Sequence, residues 1–307
     1  MLAPSGDQFE IAAGGYRAVV TESGAALREL SYAGRALVDG FDVDEVSRGG
    51  RGQLLAPWPN RLGDGRFTFG GRELSLPLSE HERRNASHGL VRWAAWTLEE
   101  HTAHSVSLTY RLMARSGWPW TLDLHVLHDL SADGLTVTLT ATNMSAEPAP
   151  YAAGAHPYLR VGDGPVDDLE LTLPASTRYL VDDRMLPVGT EPVDGGELDF
   201  RVSRPVRGTV LDTTFTDLER DESGQATTSL RDPSTGQGVS LWVDPAWTHL
   251  QVYSADDAGA TARRSLAVEP MTAPPDALRS GTDLVTLAAA GEPGDEHSAS
   301  WGLRALD

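Results

Sequence analysis

Four short segments of this chain hold side chains able to move protons or grip a polar ligand: Gly154-Ala155-His156-Pro157-Tyr158, Pro59-Asn60-Arg61, Ser87-His88-Gly89 and Val268-Glu269-Pro270. His156 is flanked by Gly, Pro and an aromatic, a setting that predicts a rigid imidazole titrating in the neutral range, where a reacting group can reach it. Pro157 has no amide hydrogen and Tyr158 can wall a pocket. Glu269 interrupts the apolar run Leu266-Ala267-Val268, and a carboxylate there is costly unless it is paired, at a strand end or in a site. Arg61 carries a fork of donors suited to hydroxyls or carboxylates, beside Trp58 in the Pro-stiffened run Ala56-Pro57-Trp58-Pro59-Asn60. His88 sits in a turn with Trp93 and Trp96 soon after, and sugars stack their apolar faces on indole rings. The bland alternatives are a surface arginine, a core tryptophan and a structural histidine.

Other chemistries are excluded by what is missing. The chain has no cysteine, so disulfides, thiolate nucleophiles and thiolate metal sites are impossible. All 25 basic residues are arginine, which removes Schiff-base lysines and the phosphate-loop lysine. His101 and His104, like His125 and His128, are three apart, and on strands that spacing puts members on opposite faces. No helical two-histidine zinc motif, Gly-x-Ser-x-Gly elbow or dinucleotide fingerprint appears, so neither a metal nor a cofactor is expected. A net charge of −19 argues against nucleic acid or an anionic membrane as partner. A small neutral ligand in a cytoplasmic protein is the expectation. No signal-like segment opens the chain and no apolar run reaches spanning length.

The elements that must position these groups are strands. Val106, Leu108, Tyr110 and Leu112 alternate with polar residues, as do Trp120, Leu122, Leu124 and Val126, and then Leu135, Val137, Leu139 and Ala141. Period two with one apolar face predicts half-buried antiparallel strands. Ser131-Ala132-Asp133-Gly134 should turn between two of them, and Gly70-Gly71 should join Arg66–Phe69 to Glu73–Leu76 as a tight hairpin. Asp217–Ser223 and Gly291–Glu296 read as surface connections. No stretch has helical period, and 31 glycines with 19 prolines suit short strands and turns. The expected architecture is all-β, one large antiparallel β-sandwich over residues 1–307.

With these segments in order, the chain resembles the aldose 1-epimerase (mutarotase) family. The resemblance runs from Glu22-Ser23-Gly24-Ala25-Ala26-Leu27 through Asn60-Arg61, the Phe67–Gly71 hairpin, Ser87-His88-Gly89 and Ala155-His156-Pro157-Tyr158. It continues through Leu211-Asp212-Thr213-Thr214-Phe215 and Leu250-Gln251-Val252-Tyr253 to Val268-Glu269-Pro270 and Pro275-Asp276-Ala277. It implies a galactose mutarotase-like supersandwich with the site in an open cleft, Glu269 as general base, His156 as general acid and His88 as a second active-site histidine. Arg61, Asp212 and Gln251 resemble the hydroxyl-binding residues, with Asn60 and Trp58 beside them.

The implied reaction interconverts the α and β anomers of a free aldohexose. A carboxylate takes the anomeric proton, a histidinium protonates the ring oxygen, and Glu269 accepts hydrogen bonds more than it pairs with Arg61. One glycine follows His88 where galactose-type members have two, and Leu159-Arg160 follows Tyr158 where those members commonly have Phe-Asn. These departures look like a bacterial side branch, some of whose members are associated with other aldoses, including sulfonated ones. Two other readings stay open: a non-catalytic carbohydrate-binding protein on the same fold, and an epimerase of an anionic hexose, sulfonated or 6-phosphorylated, met by Arg92 or Arg160. A monomer and a homodimer are equally compatible.

Overall fold

Period-two patterning becomes antiparallel strand pairing across the chain. In the computed structural model, which describes residues 2–307, Leu122–Ser131 and Gly134–Asn143 pair along their whole length, with Ser131 opposite Gly134, so Ala132-Asp133 make the turn. Burial alternates along the first of these strands, and Leu122, Leu124, Val126 and Leu130 enter the core. His125 leaves on the other face toward Glu99 while His128 is buried, as the spacing of three required. Trp120 precedes the strand rather than opening it, and packs in an aromatic cluster with Trp118 and Phe67.

Two large sheets carry the molecule. A nine-stranded sheet runs from Thr97–His101 at one edge through Ser105–Leu112, Leu122–Ser131, Gly134–Asn143, Glu296–Leu306 and Gly238–Val243, then Ala226–Arg231, Glu170–Thr172 and Arg204–Pro205. An eight-stranded sheet is ordered Pro187–Pro192, Ala175–Val181, Asp212–Leu218, His249–Tyr253, Leu266–Met271, Gly154–Ala155 and Leu54–Leu55. Tyr158–Leu159 also pairs with its Leu266–Met271 strand. Four strands from Gln8 to Ala36 make a separate sheet. Apolar side chains of both large sheets fill one cluster, among them Val126, Leu139 and Val239 from the first and Phe215, Leu250, Val252 and Val268 from the second.

Local details adjust the sequence boundaries. The Gly70-Gly71 hairpin forms, but its second strand is Arg72–Ser75, with Phe69 opposite Arg72. Asp217 belongs to the strand Asp212–Leu218 and Glu296 to the last strand, because ladder pairing extends into both expected loops. Helix is confined among the described residues to Ala277–Ser280 and two short 3-10 turns.

Alternation on the eight-stranded sheet explains where chemistry can sit. Leu266, Val268, Leu250, Val252 and Phe215 face the core. Their neighbours Glu269, Gln251 and Thr214 must therefore leave on the opposite face. There the loop around residues 47–53 and the ribbon formed by Arg61–Gly63 with Asn85–Ser87 provide further backbone and side chains.

Candidate active site

His156 and Glu269 meet at this face, with imidazole Nε2 3.3 Å from carboxyl Oε1. Both are nearly sealed, at 5% and 3% exposure. The short strand Gly154–Ala155 and the return Tyr158–Leu159 both pair with Leu266–Met271, which places the two residues beside each other. His156 is fixed by its own backbone: its N–H donates to the Gln53 carbonyl (3.1 Å) and its carbonyl accepts from Gly52 N–H (2.9 Å). Tyr158 stacks on the imidazole at 5.0 Å between centroids with planes 8° apart. Against the ring lies Gly50, whose φ is +78° and where a Cβ would stand 2.6 Å from His156 Cδ2. Glycine is needed there for conformation and for space.

Gln251 is the register partner of Glu269, and Asp212 reaches the same patch from the adjoining strand. Thr214 Oγ1 donates to Gln251 Oε1 at 2.5 Å, and Gln251 Nε2 donates to Asp212 Oδ1 at 2.6 Å. The threonine thus orients the amide, so its NH2 end faces the carboxylate.

His88 approaches His156 edge-on, with ring centroids 5.6 Å apart. Its backbone is held in the left-handed region at φ +64° by donation of its N–H to the Asn60 carbonyl (2.9 Å). Asn60, itself at φ +51°, accepts from Arg61 N–H through Oδ1, so its part is to shape the turn that brings Arg61 and His88 together. Residues this strained are held only where surrounding structure over-determines them. Arg61 is register partner of Ser87, and its guanidinium is taken by Glu80, Nε to Oε2 at 3.0 Å. Glu80 also accepts from Arg83 and Asn85. Glu269 is therefore spared a direct salt bridge with Arg61, whose charge still acts on it through space.

Electrostatics correct one expectation from the sequence. His156 does not titrate in the neutral range: burial pushes it down to about 3, with Arg51 and Arg92 nearby adding to the effect. His88 is held well below its usual value by burial, then by His156, Arg92 and Arg61. Burial pushes the Glu269 carboxyl well above the usual range, Asp212 adds to that, and Arg61 opposes it. Asp212 is raised by burial as well, against the pull of Arg61 and Arg83. Low-dielectric surroundings penalise whichever form is charged, so imidazole and carboxyl move in opposite directions. His156 Nδ1, Glu269 Oε2 and His88 Nδ1 are buried without a hydrogen-bond partner. Buried polar atoms left open together are unusual, and a polar ligand would satisfy them.

Two further expectations need correction. Trp58 is 3% exposed and packs against Trp118, with its indole N–H aimed at the Ala86 carbonyl (3.3 Å), so it supports the site from the core and offers no stacking face. The His156–Glu269 pair is closed over and does not lie in an open cleft. A cavity of about 930 Å³ opens beside it, lined by Arg51, Tyr158 and Tyr253 but not by His156 or Glu269. Glu80, Thr214 and Gly50 were not singled out by sequence. Thr214 lies inside the Leu211–Phe215 segment that carries the family resemblance, while Glu80 and Gly50 carry no spacing signal. Among the described residues no cluster of three or more His, Asp or Glu could hold a metal.

Fold and site together define an all-β protein with a buried carboxyl–imidazole pair, rimmed by a second histidine, an arginine, an aspartate and a glutamine. The aldose 1-epimerase family model matches residues 7–302, and the chain belongs to that family. It is 37% identical over 290 residues to the uncharacterized protein YihR of Escherichia coli K12, covering 94% of this chain and 91% of that one. Galactose mutarotase of Mus musculus is 27% identical over 157 residues, 49% of this chain and 45% of the mouse protein. Among solved structures, a putative aldose 1-epimerase from Escherichia coli K12 superposes with a TM-score of 0.82 at 24% identity, over 97% of this chain and 98% of that one. A GalM/aldose epimerase homologue from C. elegans gives 0.85 at 18% identity, with coverage of 97% and 98%. The fold is galactose mutarotase-like. No helix among the described residues is long and apolar enough to cross a membrane.

Proposed function

We propose that this protein is an aldose 1-epimerase that interconverts the α and β anomers of a free aldohexose by general acid–base ring opening and closure. The observation that carries the reading is the buried His156–Glu269 contact at 3.3 Å, with open polar atoms on both groups. The anomeric hydroxyl oxygen and the ring oxygen of a cyclic aldose both hang on C1, so two groups this close can address one each.

With the pair as Glu269 carboxylate and His156 imidazolium, Glu269 takes the proton of the anomeric hydroxyl. That O–H electron pair becomes the C=O bond, the bond from C1 to the ring oxygen breaks, and His156 gives its proton to the ring oxygen. Rotation about C1–C2 turns the other carbonyl face, and the reverse transfers close the opposite anomer. The pair holds one proton in total throughout, either on the carboxyl or on the imidazole. Burial favours the uncharged arrangement at rest, and sugar hydroxyls donating to Glu269 would favour the charged one. His88 supports charge near the ring oxygen, while Asp212, Gln251 and Arg61 hold hydroxyls. Positioned acid–base groups are typically worth about 10²–10⁴-fold. A pure binder would have no use for a buried acid–base pair. Polarimetry on fresh α-glucose and α-galactose tests the reading.

One observation favours an anionic hexose as a second reading. The Arg160 guanidinium is engaged by Asp163 and faces Asp39, but that of Arg92 is half-buried with no ion pair among the described residues. Its charge reaches both histidines. A desolvated guanidinium that rests on the Trp93 ring at 5.6 Å without an ion pair suits a sulfonate, phosphate or carboxylate on the sugar. A panel of neutral and anionic aldoses compared in wild type and Arg92→Gln separates the two. Loss confined to the anionic sugars would support the second reading, and equal rates in both proteins would remove it.

A further inference from the structure

Asp39 lies outside the reacting pair, yet it ties together the segments that carry it. Its carboxylate is 2% exposed and collects three guanidiniums and a hydroxyl. Arg51 Nε and Nη2 approach Oδ2 at 3.3 Å, Arg264 Nη2 approaches Oδ1 at 2.8 Å, Ser265 Oγ donates to Oδ2 at 3.0 Å, and Arg160 Nη1 stands 3.8 Å from Oδ1. Its main-chain N–H donates to the Tyr158 carbonyl at 2.8 Å. Each partner leads to the site. Ser265 immediately precedes the strand Leu266–Met271 that carries Glu269. Arg160 follows the His156-Pro157-Tyr158 turn. Arg51 belongs to the loop that bonds the His156 backbone and presents Gly50 to its ring.

A side-chain path also connects them. Arg51 lies over the Tyr158 ring at 4.3 Å, and Tyr158 stacks on His156 and donates its hydroxyl to the Gly49 carbonyl at 2.9 Å. One buried carboxylate therefore bridges the acid-bearing turn, the base-bearing strand and the loop covering the imidazole.

We propose that Asp39 is a positioning residue that sets the separation of His156 and Glu269 through Arg51–Tyr158 on one side and Arg264–Ser265 on the other. The inference rests on the mutarotase reading. A neutral side chain at position 39 leaves the buried Arg51 guanidinium facing the partly exposed Arg160 and Arg264 without their shared counter-charge, so the segments must spread. Displacement of a reacting group by an ångström can reduce a rate by about 10²-fold, while sugar-hydroxyl contacts on other strands are unaffected.

The test compares wild type, Asp39→Asn and Arg51→Gln in the full chain, well below their unfolding midpoints. It measures kcat and KM for mutarotation together with the 15N–1H signals of the His156 ring. Asp39→Asn is expected to lower kcat by about tenfold or more with KM within about threefold, and to move the His156 ring signals. Arg51→Gln should shift them in the same direction. Unchanged kcat and unmoved His156 signals in a folded Asp39→Asn protein would overturn the proposal. If Asp39→Asn does not fold, Arg51→Gln decides on the same two readouts, because Arg264 and Arg160 still pair with Asp39. If wild type shows no mutarotation, the functional reading fails. The His156 signals then decide the positioning role alone: movement keeps it, and no movement removes it.

Discussion

Gln251 stands directly opposite Glu269 in the antiparallel ladder, and the two side chains leave the sheet on the same face. Through this pairing the carboxyl acquires a neighbour whose amide is already oriented by Thr214 and committed to Asp212. A row of polar side chains is thus built by register alone, across three adjacent strands.

Thr214→Val keeps the volume and removes the hydroxyl that orients that amide. The expected effect is a rise in KM with kcat nearly constant, on the order of fivefold for a lost hydrogen bond of ~1 kcal/mol. Thr214→Ser should restore it. Steady-state mutarotation kinetics check this, and an equal loss in the serine variant would show that packing, not the hydroxyl, is responsible.

Gly50→Ala places a methyl against His156 in a backbone conformation unfavourable to alanine. A drop in kcat of about 10- to 100-fold is expected from the displaced imidazole, with stability reduced by more than ~1 kcal/mol. Kinetics and thermal unfolding measured together separate the two effects. Wild-type kcat would mean the loop yields and the imidazole does not.

Rate should depend on pH through the single shared proton. Above the raised pKa of Glu269 the pair loses that proton, no acid remains, and activity falls with rising pH. At the other end the pair gains a second proton only as His156 titrates, near about 3. The profile of kcat/KM in the free enzyme should therefore show no acid limb in the ordinary histidine range around 6.5. An acid limb at that pH would contradict the burial account of His156.

Much of this was legible in the sequence, for identifiable reasons. Alternation in Leu122–Ser131 and Gly134–Asn143 reflects one buried face, and that pattern survives into the fold. His156 and Glu269 were legible because each breaks its surroundings, one between glycine and proline, the other inside an apolar strand. Burial depth was not. The pKa of His156 depends on residues such as Arg51 and Tyr158 closing around it, and spacing does not encode that closure. Its proline-rich run sets Trp58 beside Arg61 as a loop residue next to the hydroxyl-binding groups would be, whereas packing on Trp118, itself against Phe67, draws that run into the core. The commitment of Arg61 to Glu80 arises because the Arg61–Gly63 ribbon returns at Asn85, a contact invisible along the chain.

Acid stability provides a check away from the site. His128 is buried on the core face of its strand, and burial lowers it from 6.5 to about 3. The unfolded chain takes up a proton in that window and the folded one does not, so stability falls as pH drops from 6.5 toward 3. His128→Leu should flatten part of this decline, with His88, His156, His249 and His297 acting in the same direction. Unfolding midpoints measured between pH 7 and 4 for both proteins check it (pH values set by the ordinary histidine range). Parallel curves would show that His128 is protonated in the native state.

The central claim is that Glu269 and His156 form one acid–base unit acting on a cyclic aldose. Its most direct test is the decay of optical rotation of freshly dissolved α-glucose or α-galactose with wild type and with Glu269→Gln, which preserves shape and removes the base. Acceleration by wild type and its loss by about 10²–10⁴-fold in the variant is the predicted result. Equal acceleration by a folded Glu269→Gln protein would contradict the account.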